Sequence, residues 1–153
     1  MPVSVIENAS FGNSGIVTAN GIKFPATQVA SADANTLDDY EEGTWTPTDT
    51  SGASLTFTNN GSTYTKIGRA VILNFEIVWP STANTNSASV SLPFNSVSGN
   101  RAGLSAFSNL AGESNIYIQG SGSFLLYNDT GTQLTNANLS GKYLIVSITY
   151  FTS

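Results

Sequence analysis

Four carboxylates, Asp38, Asp39, Glu41 and Glu42, fall within five positions of the stretch TLDDYEEGTWTPT, residues 36–48, in a chain with only ten acidic and five basic residues. Three kinds of chemistry use carboxylates at such spacing. A retaining glycosidase needs two carboxyls roughly 5 Å apart, one of them with a raised pKa. Here Leu37 and Tyr40 are the only apolar neighbours within the acidic run, so nothing in the sequence desolvates one acid of a pair. Calcium takes hard oxygen ligands from a loop, but the spacing does not match an EF-hand and no glycine stands where that loop must turn. The third role is architectural. Hydrated carboxylates at a junction pair with Lys66, Arg69 or Lys142 of the same or a neighbouring chain, each exposed pair contributing only ~0–1 kcal/mol. The expectation is therefore no catalytic residue, no metal and no cofactor at this cluster. The residues Asp38, Asp39, Tyr40, Glu41, Glu42, Gly43, Trp45 and Pro47 are expected to form a junction. There Gly43 permits a sharp entry, Trp45 buries a large ring and Pro47 stiffens an edge.

Composition restricts the elements that position this junction. The chain has 153 residues, 40% of them apolar and only 10% charged, with a net charge of −5. Ser, Thr, Asn and Gly make up the difference, which is poor for helix and suited to short strands joined by tight turns. The few basic residues exclude ordinary nucleic-acid binding, which needs clustered Lys and Arg. The lack of Cys and His removes disulfides, thiol nucleophiles, the usual zinc sites and His-based triads. Met1 is followed by neither a basic start nor an apolar h-region, and no apolar run reaches the ~18 residues of a membrane helix, so no signal peptide and no membrane insertion are expected.

Residues 1–40 differ from the rest. Apolar residues stand singly among small polar ones, and Gly15, Gly21 and Pro25 interrupt any helix. Short extended pieces are expected at 15–18 and 21–24. Such a segment cannot build its own core. Val3, Val5, Ile6, Phe11, Ile16, Val17, Ile22, Phe24, Pro25 and Val29 nevertheless make it too apolar for a solvated tail. It reads as an attachment arm or stalk ordered by partner chains.

From Trp45 onward the pattern is β. Asn59-Asn60-Gly61 between alternating residues predicts a hairpin turn. RAVILNFEIVW predicts a strand with Val71, Leu73, Phe75, Ile77 and Trp79 on one face. Its second face is mixed, and Ile72 and Val78 there are candidates for a subunit contact. SVSLPF directs Val90 and Leu92 inward, LSAFS and NIYIQ are short strands, and GSGSFLLYNDTGTQL is a strand followed by a turn at Asn128, Asp129, Thr130 and Gly131. Tyr117, Phe124 and Tyr127 are candidates for stacking on sugars, with core packing the better reading of Phe124. YLIVSITY directs Leu144, Val146, Ile148 and Tyr150 one way, and this last strand is expected inside a sheet. Seven to nine short strands at about ten-residue spacing predict an all-β fold, a jelly-roll-like β-sandwich head over 41–153. The polar loops 80–88, 95–99 and 128–132, with Asn84, Asn86, Asn95, Asn128, Asp129 and Thr130, are candidate receptor-binding loops.

The stretch GIKFPATQVASADANTLDDYEEGTWTPT, with YTKIGRAVILNFEIVW and SVSLPF after it, resembles segments of bacteriophage tail-fibre and related virion structural proteins. The likeness covers residues 21–94, and SGKYLIVSITYF fits it more loosely. The resemblance implies a homotrimeric, non-enzymatic fibre or fibre tip. It would be made in the host cytoplasm and carried on the virion, attached to tail or capsid proteins through its N-terminus, and bound to a bacterial surface glycan or protein by its head. Only some twenty residues precede the motif, too few for a long shaft. A capsid-mounted head fibre or decoration protein is the alternative, and a polysaccharide-degrading tailspike the third reading.

Overall fold

A computed structural model of the chain describes residues 16–18, 21–33, 35–97, 103–108, 114–118, 122–128 and 130–152, the strands at 16–18, 103–108 and 114–118 by their backbone alone. Val3, Val5, Ile6, Phe11 and Asp129 lie outside the described residues.

The protein is all-β, with antiparallel pairing throughout and no helix among the described residues, hence none long and apolar enough to cross a membrane. The strands are β1 (Ile16–Thr18), β2 (Gly21–Lys23), β3 (Tyr40–Thr44), β4 (Thr58–Ile67), β5 (Ala70–Val78), β6 (Ser89–Ser91), β7 (Gly103–Ser108), β8 (Ser114–Ile118), β9 (Ser123–Asn128) and β10 (Tyr143–Phe151). β1 and β2 pair as an isolated ribbon, which matches the two extended pieces expected in the arm. A five-stranded sheet has the order β3-β4-β5-β10-β7, and a three-stranded sheet the order β6-β9-β8. β10 thus lies inside a sheet, as its pattern predicts.

Period-two alternation makes the core. Val71, Leu73, Phe75 and Ile77 of β5 and Leu144, Val146, Ile148 and Tyr150 of β10 are buried, while the residues between them are more exposed. They meet Val90 and Leu92, Phe124 and Leu126 of β9, and Trp79, Leu134 and Leu139 in one buried cluster. The rings of Phe75 and Phe124, from different sheets, lie 5.4 Å apart. Phe124 is therefore a core residue and not a sugar-stacking one. Each such side chain withdrawn from water contributes roughly 1.5–3 kcal/mol.

The hairpin turn differs from the sequence expectation. Asn59-Asn60-Gly61 is no hairpin turn. The strand runs through it from Thr58 to Ile67, with a bulge between Asn59 and Gly61. The Asn59 side chain accepts the Gly61 N–H and the Ser62 hydroxyl, so the amide that would close a turn instead satisfies the interrupted ladder. The hairpin closes at Gly68-Arg69, between the paired Ile67 and Ala70. Gly68 has φ 56° and Arg69 has no positive φ, the type II′ pattern that glycine at the first central position permits.

After β3 the chain leaves the five-stranded sheet and runs beside β6. Thr50 N–H donates to the Ser89 carbonyl, Ser91 N–H donates to the Thr48 carbonyl, and Asp49 bridges Val90. Buried Pro47 stands in this crossing, where its missing N–H interrupts no ladder.

Candidate functional site

The acidic cluster is divided by the pleat. β3 is an edge strand, with Tyr40 opposite Ile67, Glu41 opposite Lys66, Glu42 opposite Thr65 and Gly43 opposite Tyr64. Opposed residues share a face. Glu41 and Gly43 therefore stand on the core side with Lys66 and Tyr64, together with Asp39. Tyr40 and Glu42 stand on the outer side, where the Tyr40 hydroxyl donates to the Glu42 carboxylate at 3.2 Å. No group of three acidic residues converges on a common point among the described residues.

Asp39 corrects the expectation of hydrated carboxylates, because it is buried. Its partner is the equally buried Lys66, one of the three cations named for it, and the two side chains form an ion pair. Lys66 also lies 5.7 Å from the centroid of the Phe94 ring. Burial pushes the Lys66 ammonium below its ordinary pKa, and the Asp38 charge opposes that shift. Arg69 is used elsewhere, its Nε donating to the Thr152 carbonyl at 3.1 Å. Asp38 stays at the surface and accepts the Ser31 N–H at 2.8 Å. That bond holds the Asp38 carboxyl below its usual range, the direction opposite to that of a general acid.

Gly43 has a different use from the one expected. A Cβ there would lie 3.0 Å from the Tyr64 phenol oxygen and 3.1 Å from its Cζ. The glycine admits the ring across the strand pair, and it is not a turn. Tyr64 in turn packs edge-on to Phe94 at 5.0 Å, and burial together with the Glu41 charge raises its pKa. Trp45 does pack against the core, edge to face with Phe75 at 5.6 Å. Its Nε1 is buried without a hydrogen-bond partner among the described residues.

The strand registers place these junction residues at the Gly68-Arg69 end of the sheet, where the chain from residue 39 enters. Loops 80–88 and 128–132 leave from the opposite end, beyond Val78 and Asn128, where Trp79 N–H donates to the Lys142 carbonyl. Asn95 is not with them. Its neighbours Ser96 and Val97 bond Thr152 and Phe151, which places it at the junction end. The three candidate receptor loops therefore divide two to one.

The far end is organised by a residue that sequence reasoning missed. Asn136 is fully buried, accepting from the Trp79 indole at 3.2 Å and donating to the Ser51 hydroxyl at 2.8 Å and the Asn84 Oδ1 at 3.0 Å. Trp79 carried the only signal, since a buried indole at a strand end requires an acceptor. Asn84 and Asn86 are partly committed to the same framework. Asn84 Oδ1 also accepts the Asn86 N–H, and the Asn86 amide donates to the Ser51 carbonyl. Asn128 Oδ1 accepts the Thr132 N–H at 2.7 Å and the Thr130 hydroxyl at 2.8 Å, shaping its own turn. Thr85, Ser87, Thr130 and Thr132 are exposed along these loops.

Asp49 orders the adjoining loop. It accepts the N–H groups of Ser51 at 2.9 Å and Leu55 at 3.0 Å. Burial raises its pKa, but these bonds and the Ser51 hydroxyl outweigh burial and leave it below the ordinary value.

On the outer face of the five-stranded sheet, Ile72 is exposed and Val78 half-buried. An open depression of about 440 Å³ lies on the same face among Asn60, Thr63, Asn74, Glu76 and Ile145. No family model, curated protein or solved structure matches this chain.

Proposed function

We propose that this chain is a bacteriophage virion structural protein: a short homotrimeric fibre or fibre tip, attached to the particle through residues 1–40 and presenting residues 41–153 as a β-sandwich head to the host surface. The supporting observation is the polarity of the described fold. The chain enters at the end that holds Asp39 and Lys66, and the polar loops 80–88 and 128–132 leave from the other. An attachment fibre needs that separation of anchor from contact surface. The LDDYEEGTWTP resemblance is the second support, and it stands at the junction itself. The head would bind a glycan or protein through exposed hydroxyls of short side chains, which lose little rotamer entropy on binding.

Labelling tests the reading. Antibodies against the 41–153 region, applied to particles of the encoding phage, should decorate discrete points, on the tail for a fibre or on the capsid for the decoration alternative. Purified full chain should compete with particles for host-cell adsorption. Thr85→Lys with Thr130→Lys should abolish that competition, while Asn95→Lys at the opposite end should leave it intact. Unlabelled particles would overturn the virion assignment. Competition unaffected by the loop variants would overturn the placement of the contact surface.

A further inference from the structure

Among the described residues the only buried charged side chains are Asp39 and Lys66, each 7% accessible, and they are in direct contact. The strand register brings them together. Tyr40 pairs with Ile67 and Glu41 with Lys66. Asp39 stands one step beyond, where its carbonyl accepts the Gly68 N–H at 2.7 Å. Lys66 therefore has Glu41 directly opposite and Asp39 on the diagonal, positions roughly 7–8 Å apart that a lysine stem spans. The Phe94 ring lies 5.7 Å from the Lys66 nitrogen, and Tyr64 packs edge-on to that ring at 5.0 Å. The Tyr64 hydroxyl donates to the Glu41 carboxylate. An amine and two carboxyls thus share the inner face under an aromatic cover. Desolvation of both charges works against a plain ion pair in such a place, and a bond that removes both charges relieves it.

We propose that Lys66 and Asp39 condense in the folded chain to an amide, a cross-link between β4 and the residue that precedes β3, with Glu41 as the proton relay. Burial, against the opposing charge of Asp38, pushes the Lys66 ammonium toward its neutral and nucleophilic form. A proton passes from Nζ to the Asp39 carboxylate, giving an amine and a carboxylic acid. The Nζ lone pair attacks Asp39 Cγ and a C–N bond forms. Glu41 takes a proton from the nitrogen and delivers it to the departing hydroxyl. The Cγ–O bond breaks and one water leaves. No oxidant or other reactant is consumed, and the net charge is unaltered because one cation and one anion disappear together. Contact within the fold makes the step unimolecular, equivalent to an effective concentration of about 100,000 M or more. The amide clamps an edge strand where the arm enters, so tension on residues 1–38 cannot peel β3 from β4. This chemistry does not depend on the virion reading.

Mass spectrometry of the denatured full-length chain tests it. The native protein should be lighter by one water, about 18 Da, than its residues require. Cleavage after glutamates should leave segments 8–41 and 43–76 joined as one branched peptide, although the chain has no cysteine. Trypsin should fail to cut after Lys66. Lys66→Arg and Asp39→Ala should each have the full residue mass and separate into the two segments. Glu41→Gln should condense at least tenfold more slowly in freshly made chain, with an unchanged near-ultraviolet circular dichroism spectrum. A native chain at its full residue mass would overturn the proposal whatever the variants do. So would a loss of water that persists in Lys66→Arg or Asp39→Ala. Condensation of Glu41→Gln at the native rate would overturn the relay. Lys66→Met and its combination with Asp39→Leu both lack the cross-link. Their difference from each other therefore reads the charge pair, and their shared difference from the native chain reads the amide.

Discussion

The Trp79 indole donates to the Asn136 side chain across 3.2 Å in the interior of the protein. Asn136 in turn reaches Ser51 and Asn84, so one amide joins three segments that are distant in sequence, around residues 51, 79–84 and 136. Asn136→Leu keeps the volume and removes all three bonds of this amide, leaving the buried Trp79 indole without its acceptor, while the Asn84 oxygen keeps the Asn86 N–H and the Ser51 hydroxyl keeps the Ala53 N–H. Each unpaired buried group costs ~1–3 kcal/mol. The expected loss is about 3 kcal/mol, read as a lower denaturant midpoint at constant slope. An unaltered midpoint would mean that the loops at this end are held by their backbone bonds alone.

Lys66 and Asp39 form a buried pair, and breaking one side is expected to cost more than removing both. Lys66→Met strands the Asp39 carboxylate away from water and should destabilise by about 3 kcal/mol. Adding Asp39→Leu should recover most of that loss. A double-mutant cycle in urea measures the coupling. A double variant as unstable as the single one would show that the lysine acts by packing on Phe94 rather than by charge.

Gly43 and Tyr64 are coupled by shape. In the native background Gly43→Ala drives a methyl group against the phenol ring and should cost about 1–3 kcal/mol. With Tyr64→Ala already present, the same change relieves backbone entropy and should be neutral or stabilising by a few tenths of a kcal/mol. The sign reversal between backgrounds is the quantity to measure.

The pH dependence has a definite direction. Asp49 and Asp38 both titrate below the ordinary carboxylate value in the folded protein. A depressed folded-state pKa contributes stability that is present above the unfolded value, about 3.9, and is lost as pH falls through the lower folded value. Stability should therefore fall on acidification from about pH 5 downward, and Asp49→Asn should make that decline shallower. Equal acid limbs for the two proteins, from urea unfolding at successive pH values, would remove Asp49 from the account.

The β class and the inward faces of the two longest core strands were legible in the sequence. A half-buried strand writes its burial into its own period-two pattern, as Val71 to Trp79 and Leu144 to Tyr150 do without reference to any partner. The arm's interruption by Gly21 and Pro25 was readable for the same local reason. The acidic cluster was visible as a cluster, but its meaning depended on pairing. Only the register of β3 on β4 sends Asp39 toward Lys66 and Glu42 toward solvent.

Local chemistry misled where tertiary pairing won. Asn59-Asn60-Gly61 has the composition of a turn, yet continuous pairing of β4 with β5 offers more backbone hydrogen bonds than a turn there would, and the residues become a bulge. Gly43 looked like a hinge and proved to be a space for Tyr64. Among many similar asparagines, nothing along the chain distinguished Asn136, because its burial comes from loops converging from remote positions. The sequence by itself determined which residues turn inward along a strand, since that depends on neighbours two positions away. Tertiary structure alone decided which polar side chains would be buried, because a buried polar group is tolerable only where partners from distant segments arrive to satisfy it.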